Sequence, residues 1–146
     1  MPTVDFYILP DADSAARLRL ACRLTEKAYQ QKQTIYIHAE NRAMAHQLDE
    51  CLWTWRDDSF LPHHLVGDGP EPPPPIQIGF DAIPDKSRHV LINLHPEVPA
   101  FYSRFARIME LIVNEPTAQE AGRERYRFYR TTRLEINTHK LQTIEI

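Results

Sequence analysis

TVDFYILPDADSAARLRLACRLTEKAYQQKQTIYIH, residues 3–38, sets the fold class of this chain. Its two ends, Thr3–Leu9 and Thr34–His38, are short runs rich in β-branched and aromatic residues, which is typical of buried strands. Between them, side chains recur at the spacing of one helical face: Leu18, Ala21, Cys22, Thr25 and Tyr29. The residues that could cap this helix follow Pro10: Asp11, Asp13 and Ser14. Because a helix that joins two strands of one sheet leaves them parallel, the segment predicts an α/β domain.

The same alternation continues beyond residue 38. A second helix is predicted after its N-cap Asn41, with one apolar face: Met44, Leu48, Cys51, Leu52 and Trp55. Two further strands are predicted at Ile76–Phe80 and Arg88–Leu94. A third helix is predicted from Pro99, because apolar side chains follow it at helical spacing: Phe101, Phe105, Ile108, Met109 and Ile112.

The last thirty residues predict one more helix. It covers residues 117–133, with Thr117 as the N-cap and Glu120 completing a capping box. Residues 134–146 indicate a short strand or an extended tail. This order of elements, in a chain of 146 residues, predicts a single domain over residues 1–146.

Residues 57–75 interrupt the pattern. They hold two of the four glycines and six of the twelve prolines, so we expect an irregular surface loop. Solvated linkers are usually polar, whereas this segment contains Phe60, Leu61, Leu65 and Val66. The loop is therefore expected either to pack on the domain itself or to contact a partner.

Composition limits the classes of function. Hydrophobic residues make up 42% of the chain and charged residues 25%, which is ordinary for a folded domain. The net charge is −3, which argues against a protein that coats duplex DNA. Residues 1–100 carry 9 basic and 14 acidic side chains, whereas residues 101–146 carry 8 and 6. Positive charge is thus concentrated near the C-terminus.

The N-terminus and the cysteines indicate a cellular compartment. The opening residues show no basic region followed by an apolar run, so we expect no signal peptide, and no segment is long and apolar enough to predict a membrane span. Cys22 and Cys51 are too few for a disulfide framework, and both fall in helical patterns, which favours free thiols. A cytoplasmic protein is the expectation.

The sequence offers little for catalysis or for a cofactor. The turn after the first strand, Pro10–Ser14, has no glycine and places two carboxylates where a pyrophosphate would need N–H groups. His63 and His64 lie near Asp58, but the spacing of these residues matches no metal-site or nucleophile motif. We expect no cofactor, no metal and no enzyme activity. A hydrolase that uses these three residues is a minor alternative.

The most informative segment is RERYRFYRTTR, residues 123–133, with five arginines and one glutamate. On a helix, one stripe contains residues at i, i+3, i+4 and i+7: Arg123, Tyr126, Arg127 and Arg130. A second stripe contains Arg125, Tyr129 and Arg133, while Ala121 and Phe128 are expected to pack inward. The segment could be a solvated basic helix. Guanidinium groups beside aromatic rings also suit an acidic peptide or single-stranded nucleic acid.

Four segments, in order, resemble the chi-subunit family of bacterial DNA polymerase III. They are FYIL at Phe6–Leu9, LDECLWTW at Leu48–Trp55, SFLPHHLVGDGP at Ser59–Pro70 and RERYRFYR at Arg123–Arg130. The third is close to the family pattern S-F-x-P-H-x-L-x-G-x-G-P, and the fourth to R-x-R-Y-x-x-Y-R. The resemblance covers residues 3 to 138 and implies a Rossmann-like three-layer α/β/α sandwich with a mostly parallel sheet and no nucleotide-binding loop.

The resemblance also implies two protein partners. One is the C-terminal tail of single-stranded DNA-binding protein (SSB), bound by residues carried over from the family: Arg123, Tyr126, Arg127 and Arg130. Val113 is a candidate apolar contact. The other is the small psi subunit, in a one-to-one complex, at these loop residues: Phe60, Leu61, Pro62 and His63. An alternative helicase partner is implied at the same loop surface.

The resemblance, with the basic helix, implies a non-catalytic adaptor in DNA replication. It would link the polymerase III clamp loader, through psi, to SSB on the lagging strand, so that its contact with nucleic acid is indirect. Its place would be the cytoplasm, at the nucleoid-associated replisome. The alternative is a protein that binds single-stranded nucleic acid directly through the same Arg/Tyr helix.

Overall fold

Strands and helices alternate along the chain in a computed structural model that describes residues 2–55, 61–66, 74–81 and 88–142. The strands are β1 (Thr3–Ile8), β2 (Ile35–His38), β3 (His63–Leu65), β4 (Ile76–Gly79), β5 (Arg88–Asn93), β6 (Phe105–Ile112) and β7 (Glu135–Lys140). The helices are α1 (Ser14–Gln30), α2 (Arg42–Trp53) and α3 (Pro116–Thr131), and a 3-10 turn covers Tyr102–Arg104.

The seven strands form one sheet in the order β3-β4-β2-β5-β6-β1-β7, and every neighbouring pair is parallel. Helices α1 and α2 pack on one face of the sheet and α3 packs on the other. Strand β2 shows the division, since Ile35 and Ile37 face α1 and α2 while Tyr36 faces the α3 side. The predicted three-layer α/β/α sandwich is confirmed.

The third predicted helix is wrong, because residues 105–112 form strand β6. This strand lies inside the sheet between β5 and β1, and its last five residues are buried. Ile108 faces the α3 side, whereas Met109 and Leu111 face α1 and α2. A strand that is buried on both faces is apolar in succession, and such a run also contains positions at helical spacing.

The predicted start of the last helix is also wrong. Helix α3 begins at Pro116, and its N-cap is Glu115, whose carboxylate accepts hydrogen bonds from the N–H groups of Thr117 and Ala118. Proline suits this first position because its φ is already helical and it needs no hydrogen-bond acceptor. Glu120 completes no capping box; it forms an ion pair with Arg123 at 3.0 Å.

The ends of helices α1 and α2 largely follow the predictions. Asp13 and Asn41 cap α1 and α2 as expected. Trp55 lies beyond the end of α2 but still packs on the core shared with α1. The segment 134–146 contains strand β7, which pairs with β1 at the sheet edge.

The proline-rich loop contains one regular element. Strand β3, His63–Leu65, pairs with β4 at the other edge of the sheet, so the prediction of an irregular loop over residues 57–75 is wrong for these three residues. The strand lies between the prolines at residues 62 and 70, which explains why composition hides it. Residues 56–60 and 67–73 lie outside the described residues.

The two cysteines are free, as predicted, and they contact each other. Cys22 of α1 is buried, Cys51 of α2 is half-buried, and their sulfur atoms lie 2.9 Å apart. The hydrogen bond from Cys22 lowers the pKa of the Cys51 thiol to about 7. The contact is one of those that hold α1 against α2.

Candidate peptide-binding groove on helix α3

A groove of about 490 Å³ runs between helix α3 and the β7 edge of the sheet. Its lining comes from α3 and from three neighbouring strands: Phe6, Ile8, Ile112, Gln119, Gly122, Arg123, Tyr126, Thr138 and Lys140. In the sheet register, Ile8 pairs with Ile112 on one side and with Lys140 on the other. The parallel pairing of β6, β1 and β7 thus brings residues from distant parts of the chain to one place.

The floor of the α3 groove is apolar. Phe6 packs against Tyr126 with their ring centroids 5.5 Å apart. Gly122 lets the helix approach β6 closely, because a Cβ atom there would lie 2.5 Å from Cδ1 of Ile112. Tyr126 is 37% exposed, so part of its ring faces the open groove. A small apolar side chain would find contact surface on this floor.

The rim of the α3 groove is basic. Arg123 is exposed and pairs with Glu120 at 3.0 Å. Lys140, at the end of β7, is exposed and forms no ion pair within the described part of the chain. These two cations come from different elements, so they can approach a bound anion from two directions.

The four residues predicted on the first stripe fall into two pairs. Arg123 and Tyr126 line the α3 groove. Arg127 lies outside it, fully on the surface, and pairs with Glu124. Arg130 is exposed and has no ion-pair partner among residues 2–55, 61–66, 74–81 and 88–142. The last two arginines extend the basic surface along the helix beyond the groove.

Of the predicted second stripe, Arg125 and Tyr129 do share one face of α3, which packs on the sheet and is buried, whereas Arg133 lies beyond the end of the helix. Both bind the fully buried carboxylate of Glu110 on β6, at 2.8 Å from Nε of Arg125 and 2.6 Å from the Tyr129 hydroxyl. Asn93 of β5 donates to the same carboxylate at 2.9 Å. Burial raises the pKa of Glu110, and the charge of Arg125 with the hydrogen bonds from Tyr129, Asn93 and Arg125 acts in the opposite direction. This network fixes helix α3, and with it the groove, on the sheet.

The inward packing predicted for Phe128 is wrong. Its side chain is 41% exposed, and the buried positions of α3 are Gly122, Arg125 and Tyr129. Their spacing of three and four residues is that of one helical face. The sequence pattern does not show that Arg125 is buried, because its partner Glu110 lies on the preceding strand β6 and the two meet only in the folded chain.

No sequence pattern identifies the other residues that line the groove. Ile112 lines the groove, whereas its neighbour Val113, the apolar contact suggested by the resemblance, lies in the core on the opposite face of the sheet. Phe6 lies more than a hundred residues before the basic helix in the chain, and Lys140 lies on the strand that follows it. Only the strand order β6-β1-β7 places them beside it.

The predicted psi-binding loop is only partly described. Phe60 lies outside the described residues. Leu61 and His63 are buried, Pro62 is half-buried, and the His63 ring nitrogens approach the backbone oxygens of Leu61 at 2.5 Å and Asp49 at 3.2 Å. Trp53 at the end of α2 is 54% exposed and packs on the His63 ring at 4.8 Å. An exposed tryptophan therefore adjoins this loop.

The free N–H groups at the start of helices α1 and α3 already have side-chain acceptors. The Asp13 carboxylate accepts from the N–H groups of Ala15 and Ala16, and Glu115 does the same for α3. A phosphate would need these donors and would meet the carboxylates instead. Across the described residues, no cluster of three or more His, Cys, Asp or Glu side chains is arranged to hold a metal ion. Among those residues, no helix combines the length and the apolar character needed to cross a membrane.

Comparison with known proteins points to one family. A model of the family described as DNA polymerase III chi subunit, HolC, matches residues 1–137. The chain is 41% identical over 144 residues to DNA polymerase III subunit chi of Pseudomonas aeruginosa, with 99% of this chain and 100% of that protein covered. It is 29% identical over 143 residues to subunit chi of Escherichia coli, covering 94% of this chain and 97% of that protein. The identity to subunit chi of Haemophilus influenzae is 29% over 140 residues, with coverage of 95% and 97%.

Proposed function

The chain belongs to the DNA polymerase III chi-subunit family, whose role is in DNA replication, and we propose that it is a non-catalytic adaptor between the clamp loader and SSB. In this role the α3 groove holds the acidic C-terminal tail of SSB, and the loop at residues 60–63 contacts psi. The proposed role puts the protein in the cytoplasm, at the replisome. The protein then contacts nucleic acid only indirectly, through SSB.

The observation that carries the proposal is the combination of an apolar floor and a basic rim in one groove. A tail that ends in aspartates and an apolar residue offers one apolar side chain, a terminal carboxylate and further carboxylates. The apolar side chain fits the floor formed by Phe6, Ile112 and Gly122. Arg123 and Lys140 line the same groove, and in this proposal they bind the carboxylates. Recognition of a terminal carboxylate and an acidic motif by basic side chains is a common mode of peptide binding.

The physical character of the rim also suits a transient contact. Arg123 is exposed, and pairs between exposed charges contribute little each and are screened by salt. We therefore expect modest affinity that falls as salt is added. Such a contact can form and break as the polymerase moves along SSB-coated DNA.

The first prediction tests this proposal by fluorescence anisotropy with a labelled SSB C-terminal peptide. Arg123→Ala should weaken binding about threefold to fivefold, because it removes an exposed cation beside the terminal carboxylate, and this corresponds to about 0.6–1 kcal/mol. Deleting the terminal apolar residue of the peptide should weaken binding to the unchanged protein at least as much. Arg19→Ala is the matched control, since Arg19 is an exposed arginine on α1, across the sheet from the groove.

The same assay separates the adaptor from a direct nucleic-acid binder. A labelled single-stranded oligonucleotide is compared with the peptide in the same buffer. The oligonucleotide should bind more weakly, because a chain of net charge −3 repels phosphates away from the basic helix. Tighter binding of the oligonucleotide, or indifference to truncation of the peptide, would overturn the adaptor in favour of a protein that stacks bases on its Arg/Tyr helix.

The second prediction concerns the psi surface. We propose that the loop formed by Phe60, Leu61, Pro62 and His63 contacts psi, or an alternative helicase partner, together with Trp53. The side chains of Leu61 and His63 are buried, so they support this surface and do not face the partner. The support is the 54% exposure of Trp53 beside His63, since exposed tryptophans on a supported surface often anchor interfaces. Trp53→Ala and Phe60→Ala should each weaken the psi complex by about 1–2 kcal/mol, measured by calorimetry. Binding of the SSB peptide should stay unchanged; loss of both contacts would mean that the variant is unfolded and the residue belongs to the core.

A further inference from the structure

Helix α3 carries a second apolar pocket on the flank opposite the α3 groove. This pocket, of about 420 Å³, is formed by Phe128 and the segment before the 3-10 turn, and we call it the Phe128 pocket. Its lining includes Glu97, Val98, Pro99, Tyr102, Glu124 and Phe128. At 100° per residue, Glu124 and Phe128 project about half a turn away from Gly122 and Tyr126. The two cavities therefore do not share a binding surface.

The pocket presents an aromatic ring to solvent. Phe128 is 41% exposed, and its ring meets the edge of Tyr102 at 5.3 Å between centroids. Among the described residues only Trp53, Tyr126 and Phe128 are large, apolar and exposed. The first two lie at the proposed psi surface and in the α3 groove, whereas Phe128 has no role in either. A single exposed apolar side chain is ordinary on a protein surface, but the Phe128 ring lines a cavity and so offers a ligand an enclosed apolar contact.

The walls of the Phe128 pocket are held in place. Arg125, fixed by the buried Glu110, donates to the backbone oxygen of Pro96 at 2.8 Å. Asn93, in the same network, donates to the backbone oxygen of Glu97 at 3.3 Å. A pocket whose walls are already ordered loses less conformational entropy when a ligand binds.

The charge around this pocket is opposite to that of the α3 groove. Glu97 is exposed, and its carboxylate forms no ion pair within the described ranges. Glu124 also lines the pocket and shares its charge with Arg127. The cation in the lining, Arg125, is buried and neutralised by Glu110. An acidic peptide is therefore disfavoured here, and a basic one is favoured.

We propose that the Phe128 pocket binds a segment of another protein that presents an apolar side chain next to a lysine or arginine. The apolar side chain packs on Phe128, Tyr102 and Pro99, and the basic side chain pairs with Glu97. Helix α3 then holds an acidic ligand on one flank and a basic, apolar ligand on the other. Because the two cavities share no lining residue, the ligands bind independently.

The test is selection of peptides from a phage-displayed random library on the immobilised full chain, followed by anisotropy with the enriched peptides after synthesis. Enriched peptides should combine an apolar residue with a neighbouring lysine or arginine. Phe128→Ala should weaken their binding about tenfold, and Glu97→Lys about threefold at low salt. Arg123→Ala should change it less than twofold, because that residue lines the other cavity.

The proposal is overturned if no peptide is enriched, or if the enriched peptides are acidic and lose binding through Arg123→Ala. It is also overturned if peptides bind Phe128→Ala as tightly as the unchanged chain. Thermal unfolding of each variant checks its fold, and the surface change Glu97→Lys gives a second readout that does not depend on removing a ring.

Discussion

At the scale of the residue, His38 illustrates what burial does to a titratable group. The side chain is only 7% exposed, and its Nδ1 has no hydrogen-bond partner among the described residues. Its ring stacks on Tyr36 and His95. Burial, with a smaller contribution from His95, lowers the pKa of His38 to about 4. The residue's place at the end of strand β2 was predictable, but the loss of its charge depends on neighbours from other elements.

The third prediction follows from this pKa. The unfolded chain takes up the proton near pH 6.5, whereas the folded chain resists it down to about 4, so stability is lost as the pH falls between these values. Between pH 7.5 and 5.0 the His38 contribution to the free energy of unfolding should fall by about 1–2 kcal/mol. His38→Phe keeps a ring and removes the titration, so urea unfolding at the two pH values should show a smaller loss. An equal loss in both proteins would contradict the assignment.

At the scale of the element, helix α3 shows how far sequence patterns reach. The basic segment predicted a helix, and a helix is there, but the face that packs on the sheet contains Arg125 and Tyr129 instead of Phe128. Hydrophobicity alone orients a helix correctly only when the buried face is apolar. The prediction of a helix at strand β6 was wrong for a related reason. A strand that is buried on both faces shows no alternation of apolar and polar residues. Both errors come from tertiary contacts that a local pattern does not contain.

The fourth prediction concerns how much the hydrogen-bond network beneath helix α3 contributes to the free energy of unfolding. Arg125→Ala leaves the buried Glu110 without its cation, so the free energy of unfolding should fall by about 3–5 kcal/mol. Tyr129→Phe removes a single hydrogen bond to the same carboxylate and should cost about 1–3 kcal/mol. Arg130→Ala, an exposed arginine on the same helix, should change stability by no more than about 0.5 kcal/mol. Urea denaturation of the three variants measures the series, and equal effects of Arg125→Ala and Arg130→Ala would rule out the network as the anchor.

At the scale of the whole molecule, the sheet assembles the candidate site. The order β6-β1-β7 places Phe6 from the start of the chain and Lys140 from near its end beside Tyr126 of α3. The α/β class and the parallel sheet followed from the β-α-β opening and the family resemblance. The groove did not, because strand order is a long-range property and the first strand pairs with two strands more than a hundred residues away. Arg123 and Tyr126 could be predicted through their motif, whereas Phe6, Ile112 and Lys140 required the fold.

The fifth prediction maps the binding site on the intact chain, and it tests the central claim that the α3 groove captures the SSB tail. The measurement is a titration of the isotope-labelled full chain with an SSB C-terminal peptide, followed by two-dimensional amide NMR. We expect the largest shifts at groove-lining residues such as Gly122, Arg123, Tyr126 and Lys140. Phe128 should change little, because it lines the other cavity. Shifts centred on the Phe128 pocket or on α1, or no saturable shifts at low salt, would contradict it.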